Sequence, residues 1–406
     1  MKNNTDPRAT QRNGLITRLQ LTKQLEFLGK PTWEKYSNAA YDKCQNPAIT
    51  VLITLYNYAS YIEECLTSIF NSNLYELDSP IEILVIDDCS TDSSRQKVLE
   101  ELSRISIPMC LINKLYNTGL GNSRNLGLKL ARAPYVFILD ADNWIYPRCL
   151  PELYRAIVDK KLAATYSIIK RFDSKTGKEL GLLSQFQWDR RELVRLPYID
   201  AMALLDRSIV LGLGGYSEEL LEYGWMGWED YDLWLKLAQA NYDCELVPQI
   251  LAAYRVQAGG MLNSTNMYAF SIISYLGTKF SNLADVFEDL DQYFGLAPAY
   301  EGVHSSTDPE YLIGWAWDRH WPNKKIGLDL YDHDRLIDKI LANGFRSDLY
   351  ELGMGNGWYG FVHPLPQILK DGKPHLLKIC FAGTKIQLSE TLQWITCASA
   401  KPSAFS

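Results

Sequence analysis

Three short apolar runs, each followed by polar residues, constrain the fold of this chain more than any other feature. The runs are Ile49–Leu55, Ile81–Ile86 and Tyr135–Leu139, and they are rich in β-branched residues. Strands that are apolar on both faces are typical of a parallel sheet covered by helices on both sides. Because helical patterns separate the runs, the sequence predicts an α/β fold with a doubly wound, mostly parallel sheet.

The segments between these strands carry the signals of helix ends. Ser60 and Glu63 have the spacing of a capping box and predict that a helix starts there. A second helix is predicted over about Ser93 to Leu102, and a third ends before Pro134.

Acidic and amide side chains follow every predicted strand. Asn57 follows the first strand, Asp87 and Asp88 the second, and Asp140 and Asp142 the third. The carboxyl ends of such strands form the ligand-binding edge of the sheet. Crowded carboxylates repel one another unless a cation neutralises them, and Mg²⁺ or Mn²⁺ shared with substrate phosphates is the simplest explanation.

Each of these motifs is common by itself, and Asp92 fits an ordinary helix cap. Two other nucleotide-binding patterns are absent after the first strand: the glycine fingerprint of a dinucleotide-binding fold and the Gly-rich basic loop of a sugar nucleotidyltransferase. Gly355, Gly357 and Gly360 match the fingerprint, but Pro364 follows where a helix should start, so we interpret the match as a false positive.

The order of the motifs is more specific than any one of them. Thr54-x-Tyr56-Asn57 comes first, then Asp-Asp, then Asn117-Thr118-Gly119 with Arg124-Asn125-Leu126-Gly127, and finally Asp-x-Asp. In this order the chain resembles the family 2 glycosyltransferases, whose nucleotide-binding half has the GT-A fold. The resemblance covers about residues 48 to 260.

The resemblance implies roles for individual residues on the donor side. Thr54, Tyr56 and Asp88 would hold the nucleoside base, with Asp88 accepting a hydrogen bond from the ring N–H. Asp140 and Asp142 would bind the metal, with Asp142 as the direct ligand. A structural ion pair is the alternative role for Arg124. The residues implied for donor nucleotide binding are Thr54, Tyr56, Asn57, Asp88, Asn117, Gly119, Arg124 and Asp140.

A second acidic motif implies the catalytic residues. Glu229 and Asp230 follow Trp228 and look like the family's Glu-Asp signature at a helix start, where three acids in four residues exceed what the helix dipole needs. By resemblance Asp230 is the general base and Glu229 positions the acceptor hydroxyls or the sugar, while Gly215 and Trp228 contact a sugar. All five histidines lie at or beyond position 304, so a carboxylate must serve as the base, and the strength of metal binding stays open.

The composition excludes several classes of partner. With 41 basic and 48 acidic residues and a net charge of −7, the chain has no basic excess for nucleic acid. No apolar run is long enough to span a bilayer, and the first residues lack a secretion signal. The eight cysteines contain no CxxC pair, so we expect reduced thiols. These features predict a cytoplasmic protein, with peripheral attachment to the inner face of the membrane left open.

Changes in pattern along the chain predict its domain organisation. Leu15 and Leu19 belong to a leucine-rich helical extension, for which docking on the chain's own body is favoured over a partner or a membrane. After Phe294 the pattern becomes strand-like and resembles accessory modules of bacterial glycosyltransferases. The predicted segments are an N-terminal extension (1–47), a GT-A domain (48–275), a helical connector (276–300), a β-sandwich (301–398) and a tail (399–406).

The role of the sandwich has several open interpretations. Trp315, Trp317, Trp321 and Trp358 could stack on sugar rings, although sandwich tryptophans more often belong to the core. A sandwich that binds glycan would recruit a large acceptor. The rival account is that the sandwich supports the catalytic half or mediates a homodimer.

Together these observations predict a metal-dependent, inverting glycosyltransferase. It would move one sugar from a nucleoside-diphosphate sugar, with UDP favoured, to a hydroxyl of a glycan or other acceptor, and its cofactor would be Mn²⁺ or Mg²⁺. The processive members of the family pair a Gln-x-x-Arg-Trp motif with membrane helices, and neither is present. The alternative is a catalytically inactive glycan-binding relative. Intact Asp88, Asp142 and Asp230 favour the enzyme.

Overall fold

The computed structural model describes residues 8–224, 226–257, 268–284, 286–287, 290, 292–304, 310–322 and 324–388, and the backbone of 393–396. The chain divides into two compact units, Met1–Leu276 and Gly277–Ser406. Within the described residues, no helix has the length and apolar character needed to cross a membrane.

The first unit is built on a ten-stranded sheet with the strand order β1-β4-β3-β2-β5-β9-β7-β10-β6, and β8 pairs with β7 at one side. The strands are β1 Trp33–Ser37, β2 Ile49–Leu55, β3 Ile81–Asp87, β4 Met109–Lys114, β5 Tyr135–Asp140, β6 Trp144–Ile145, β7 Ala164–Asp173, β8 Glu179–Leu183, β9 Ala203–Asp206 and β10 Cys244–Val256. Six of these strands (β2, β3, β4, β5, β7 and β10) run in one direction, and β2, β3, β4 and β5 form a continuous parallel block.

Helices connect most of these strands. In chain order the helices are α1 Ala9–Phe27, before β1, then α2 Ala39–Lys43, α3 Ile62–Phe70, α4 Ser94–Arg104, α5 Leu120–Leu130, α6 Cys149–Lys160, α7 Arg190–Arg195, α8 Arg207–Gly212, α9 Leu220–Tyr223 and α10 Glu229–Gln239, and α11 Ala269–Lys279 follows β10.

Helices cover both faces of the sheet. Val51 and Ile53 of β2 share an apolar core with buried residues of α3, α4 and α6. The intervening Leu52 faces the other way and packs closely against Gly127 of α5. Since successive strand residues point to opposite faces, the doubly wound α/β arrangement predicted from the sequence is confirmed.

The predicted capping box at Ser60 is wrong. Helix α3 begins at Ile62, and the preceding residue makes no side-chain cap hydrogen bond. Glu63 instead forms an ion pair with Lys97 of α4. The carboxylate of Asp92 accepts a hydrogen bond from the backbone N–H of Ala59 (3.1 Å). The loop after β3 therefore satisfies a backbone donor just before this helix.

Helix α1 docks on the first unit, which is the arrangement that the sequence favoured. Leu15 and Leu19 are buried in a small core with Leu221. Arg18 Nε donates to the backbone carbonyl of Asn117 (2.7 Å), so the helix also contacts the loop before α5. The helix ends before Gly29, whose φ of +67° is the left-handed conformation of a helix C-terminus.

The second unit contains two four-stranded antiparallel sheets, ordered β11-β12-β16-β15 and β14-β13-β17-β18. Its elements are α12 Ser281–Ala284, β11 Tyr300–His304, β12 Tyr311–Asp318, β13 Ile326–Asp332, β14 Arg335–Ala342, β15 Gly344–Phe345, α13 Ser347–Glu351, β16 Trp358–Pro364, β17 Pro374–Phe381 and β18 Gln393–Thr396. Ala316 and Phe361 of the first sheet share one core with Leu328 and Ile379 of the second, which is the packing of the predicted β-sandwich.

The four tryptophans considered as sugar-stacking residues fall into two groups. Trp358 is 53% exposed and lies beside the exposed ring of Phe345, with 5.4 Å between the ring centroids. Trp315, Trp317 and Trp321 are partly buried. The Gly355–Gly360 match leads into strand β16 rather than a helix, so its interpretation as a false positive is confirmed.

The close contact between α5 and β2 generates a first prediction. A Cβ atom at Gly127 would lie 2.2 Å from Leu52 Cδ1, which is fully buried. Although Ala gains about 1 kcal/mol of helix propensity over Gly, Gly127→Ala is expected to lower the free energy of unfolding, because overpacking a core costs about 1–3 kcal/mol. Urea denaturation measures this.

Gly212, at the end of α8, provides the matched control, since nothing lies within 4 Å of a Cβ built there. Gly212→Ala is expected to be neutral or slightly stabilising. In a Leu52→Ala background, Gly127→Ala is expected to stabilise the protein. Equal effects of Gly127→Ala in both backgrounds would show that α5 does not press on β2.

Candidate functional site

Acidic side chains converge at one edge of the first unit's sheet. Strand β5 ends at Asp140, directly beside Thr54 of β2. Strand β9 runs antiparallel to β5 with Leu204 opposite Phe137, and Asp200 accepts from the N–H of Met202 just before this strand (3.0 Å). Asp140, Asp142 and Asp200 are half-buried, so they retain partial contact with solvent, and we call the site that they form the acidic cleft.

Arg124 links the segments around this cleft. Its side chain is 2% exposed. One Nη donates to Asp140 Oδ1 and the other to Glu229 Oε1, each at 2.9 Å. Burial lowers the pKa of a guanidinium, but the carboxylates of Asp140 and Glu229 outweigh burial and raise the pKa of Arg124. Arg124 is therefore a permanent buried cation that joins the end of β5 to the start of α10.

The start of α10 presents two carboxylates in different environments. Gly227 and Trp228 both have positive φ and turn the chain into the helix. Glu229 is buried, and both of its oxygens are engaged, one with Arg124 and the other with the N–H of Gly227 (2.8 Å). Asp230 is half-buried, and the N–H of Tyr231 is its one hydrogen-bond donor among the described residues (2.8 Å). Asp230 is thus the acid of this pair that is available to a ligand.

Three carboxyl groups in the cleft have pKa values close to neutrality. Burial, followed by the charge of Glu229, raises the pKa of Asp230 to about 7. Burial and the nearby Asp140 raise the pKa of Asp142 to about 7 and that of Asp200 to about 6. Clustered perturbed carboxyl groups in a cleft are typical of a functional site.

The predicted metal-binding pair has free ligand capacity. Asp142 Oδ2 accepts from Gln257 Nε2 (3.0 Å). Asp140 uses Oδ1 for Arg124 and Thr54. Within the described ranges, no three His, Cys, Asp or Glu side chains are arranged to hold a metal. An ion bound to Asp140 and Asp142 would therefore take further ligands from water or a bound phosphate.

Asp88 is buried and makes stabilising contacts within the protein. It is 5% exposed, and it pairs with the buried Lys114 (2.6 Å). It also accepts hydrogen bonds from the backbone N–H groups of Thr118 (3.0 Å) and Gly119 (2.9 Å). Accepting a further hydrogen bond from a base ring would compete with these contacts. Asp88 fixes the loop that leads into α5.

Four of the other predicted nucleotide-binding residues lie in the loops around Asp88. Tyr56 has a 43% exposed side chain. Asn57 Oδ1 accepts from the N–H of Thr91 (2.7 Å) and so joins the loop after β2 to the loop after β3. Asn117 contacts α1 through its carbonyl, and Gly119, with φ +92°, immediately precedes α5.

The two residues predicted to contact a sugar separate in the structure. Trp228 adjoins Asp230 and packs edge-on against Tyr231, with 5.7 Å between the ring centroids. Gly215 lies against Asn125 and lines a cavity of about 400 Å³ whose walls include none of the cleft carboxylates. Trp228 therefore lies next in sequence to the acids at the start of α10, whereas Gly215 lines a cavity without them.

Three residues near the cleft were not predicted from the sequence: Asp200, Arg255 and Gln257. Asp200 precedes the apolar run of β9, which is the same strand-edge signal that identified the other acids. Arg255 and Gln257 are brought to Asp142 by the pairing of β10 with β6 and β7. No local pattern indicates that contact.

The buried position of Asp88 generates a second prediction. Asp88→Asn is expected to lower the free energy of unfolding by about 3–5 kcal/mol without any nucleotide, because it leaves the Lys114 charge unpaired. Asp92→Asn is the control, since the exposed Asp92 caps backbone N–H groups and Asn caps almost as well. If Asp88→Asn is as stable as the wild type, the carboxylate does not stabilise the fold and is available to a ligand.

Comparisons with known proteins agree with the motifs. Residues 50–213 match the family model described as "Glycosyl transferase family 2". The putative glycosyltransferase EpsH of Bacillus subtilis is 30% identical over 136 residues, which are 34% of this chain and 38% of that protein. Chondroitin synthase of Escherichia coli is 25% identical over 248 residues, which are 59% of this chain and 33% of that protein. The chain thus spans well under half the length of these two relatives.

Two solved structures that align with part of this chain contain a bound nucleotide sugar. TarS 1–349 of S. aureus in complex with UDP-GlcNAc has a TM-score of 0.48 and 18% identity, over 59% of this chain and 70% of that one. The mannosyltransferase PcManGT from Pyrobaculum calidifontis, in complex with GDP-Man and Mn²⁺, has a TM-score of 0.43 and 20% identity, over 68% of this chain and 73% of that one. By the match to the family model, residues 50–213 of this chain correspond to a family 2 glycosyltransferase domain.

Proposed function

We propose that the protein is a metal-dependent, inverting glycosyltransferase that moves one sugar from a nucleoside-diphosphate sugar to a hydroxyl of a glycan or other acceptor. The observation that carries the proposal is the convergence of Asp140 and Asp230 on the buried Arg124, with Asp142 beside Asp140. Arg124, Asp140 and Asp142 lie in the segment that matches the family 2 model. Glycosyl transfer needs a site that neutralises a leaving diphosphate and a base that deprotonates the acceptor. This cleft has residues suited to both tasks.

The proposed donor is a UDP-sugar. The loops after β2 and before α5 would bind the nucleotide, with the exposed ring of Tyr56 available to stack on the base. Gly119 allows the chain to turn sharply into α5 at this point, because a glycine adopts a positive φ without steric cost. In this arrangement Asp88 contributes by holding the loop in place.

The residues present fit a divalent cation. Asp140 lies close enough to raise the pKa of the Asp142 carboxyl group, an effect that a cation would relieve. Mg²⁺ and Mn²⁺ are commonly held by one or two carboxylates together with substrate phosphates. When bound there, the cation would neutralise charge on the diphosphate leaving group. Arg124 holds Asp140 in position for this role.

Asp230 is the proposed base. Its carboxylate would take the proton of the acceptor hydroxyl while the hydroxyl oxygen forms a bond to C1 of the sugar. The bond between C1 and the diphosphate oxygen breaks on the opposite face, so the configuration at C1 inverts. Glu229 keeps Arg124 oriented, and Trp228, the residue before Glu229, is the proposed contact for the sugar.

Asp230→Asn is expected to lower kcat by about 10² to 10⁴, because general-base catalysis typically contributes a factor of this size. Donor affinity should be nearly unchanged, since Asp230 does not contact the donor loops in the described structure. Glycosyl transfer from radiolabelled UDP-sugars and calorimetry with UDP measure the two quantities. A variant with full turnover would show that Asp230 is not the base.

The raised pKa of Asp230 gives this assignment a pH signature. Since the ionised form is the base, kcat/KM for the acceptor should rise with pH through about 7 and level off above it. The folded protein retains a proton that the unfolded chain loses near pH 4, so the contribution of Asp230 to stability falls as pH rises from about 4 to 7. Asp230→Asn should therefore be at least as stable as the wild type at pH 8. A flat pH profile, or an unstable variant, would contradict this.

Removing the metal should weaken donor binding. Without a cation the carboxylates would face an unneutralised diphosphate, so EDTA or Asp142→Ala is expected to reduce UDP affinity and stop transfer. Calorimetry with UDP and a panel of nucleotide sugars, with and without Mn²⁺, is the measurement. Asp159→Ala, on the outer surface of α6, is the matched control and should leave UDP affinity unchanged. Equal affinity with and without Mn²⁺ would show that the metal is not needed.

A further inference from the structure

Arg255, near the end of β10, occupies a closed aromatic cage next to the cleft. Its side chain is 8% exposed. The guanidinium carbon lies 4.5 Å from the ring centroid of Tyr61, 4.9 Å from that of Phe172 and 5.2 Å from that of Trp144. These rings come from three separate segments: the loop before α3, strand β7 and strand β6. Contacts on several sides fix the orientation of the guanidinium plane.

The polar contacts of Arg255 are directed at the turn that carries Asp142. Its Nε donates to the backbone carbonyl of Asp142 (2.9 Å). Its backbone N–H donates to Asn143 Oδ1 (2.8 Å). One Nη pairs with Glu64 of α3. Arg255 therefore connects the main chain of this turn to β10 and to α3.

The same end of β10 also holds the Asp142 carboxylate. Gln257, two residues after Arg255, donates from Nε2 to Asp142 Oδ2 (3.0 Å). Backbone and side chain of Asp142 are thus fixed by neighbouring residues of one segment. The hydrogen bond from Arg255 goes to a carbonyl oxygen rather than to the carboxylate, so its direct effect is on the geometry of the turn.

From these contacts we infer that Arg255 is a positioning residue, which sets the orientation of Asp142 toward a divalent cation. The inference rests on the proposed function, in which Asp142 is a metal ligand. Residues that hydrogen-bond to a metal-binding residue fix the orientation of that residue. Their loss typically lowers metal affinity about 10- to 100-fold. Arg255 meets this description because its hydrogen bond, its ion pair and its three ring contacts all fix one side-chain position.

The experiment compares Mn²⁺ affinity in the full chain, measured by electron paramagnetic resonance with saturating UDP. Arg255→Met is expected to lower Mn²⁺ affinity about tenfold or more. Arg255→Lys should lose most of this affinity as well, because an ammonium group keeps the charge but not the planar fork that donates to Asp142 and Glu64 together. UDP affinity without metal should stay unchanged in both variants.

Arg132→Met is the matched control for lost stability. Arg132 also stacks on a ring, that of Tyr41 at 3.7 Å, and pairs with the buried Glu82 (2.6 Å), but its contacts lie outside the cleft. Arg132→Met should lower the melting temperature and leave Mn²⁺ affinity unchanged. If Arg255→Met does not fold, Glu64→Gln replaces it: this exposed partner should cost a few-fold in Mn²⁺ affinity with little change in melting temperature.

Three results would overturn the inference. Full Mn²⁺ affinity in Arg255→Lys would show that only the charge matters. Wild-type Mn²⁺ affinity in Arg255→Met, or in Glu64→Gln if Arg255→Met does not fold, would show that the turn needs no support from Arg255. If the wild-type protein itself binds no Mn²⁺ with UDP, the proposed function fails and the inference fails with it, whereas binding by wild type and variants alike refutes the inference alone.

Discussion

The buried guanidinium of Arg124 determines how the first unit assembles its cleft. Removing a guanidinium from water costs several kcal/mol unless carboxylates compensate it with good geometry. Asp140 at the end of β5 and Glu229 at the start of α10 provide that compensation, and the ring of Tyr216 lies 5.1 Å from the guanidinium carbon. Segments from distant parts of the chain must therefore meet at one point, and the same meeting places Asp230 beside the end of the sheet.

The cleft carries more negative charge than Arg124 neutralises. The pKa values of Asp142, Asp200 and Asp230 are raised to about 6 to 7, because burial removes water from these carboxyl groups and other acids lie nearby. A carboxyl group with a pKa near 7 is well matched to proton transfer at neutral pH. The same crowding creates a place for a cation. One physical feature, excess negative charge at a low-dielectric sheet edge, thus accounts for both halves of the proposed chemistry.

The sequence predicted what depends on local pattern. The apolar run Ile49–Leu55 coincides with β2, and the acids after the strands meet at one edge because parallel strands end together. The sequence did not predict the contacts that depend on strand register or on loops distant in the chain. Asp200 reaches the cleft through antiparallel pairing of β9, Arg255 through β10, and Asp88 is engaged by Lys114 from the next strand. Periodicity indicates which residues are buried, but not which strand lies beside which.

The stereochemistry of transfer tests the central claim most directly, namely that Asp230 promotes a single displacement in this cleft. Proton NMR of the product formed from a UDP-α-sugar, with whichever glycan acceptor takes up the sugar, reports the configuration at C1 through the coupling constant of the anomeric proton. The account predicts a β-linked product. An α-linked product would contradict it, because retention requires either a second displacement or attack from the face that the diphosphate leaves.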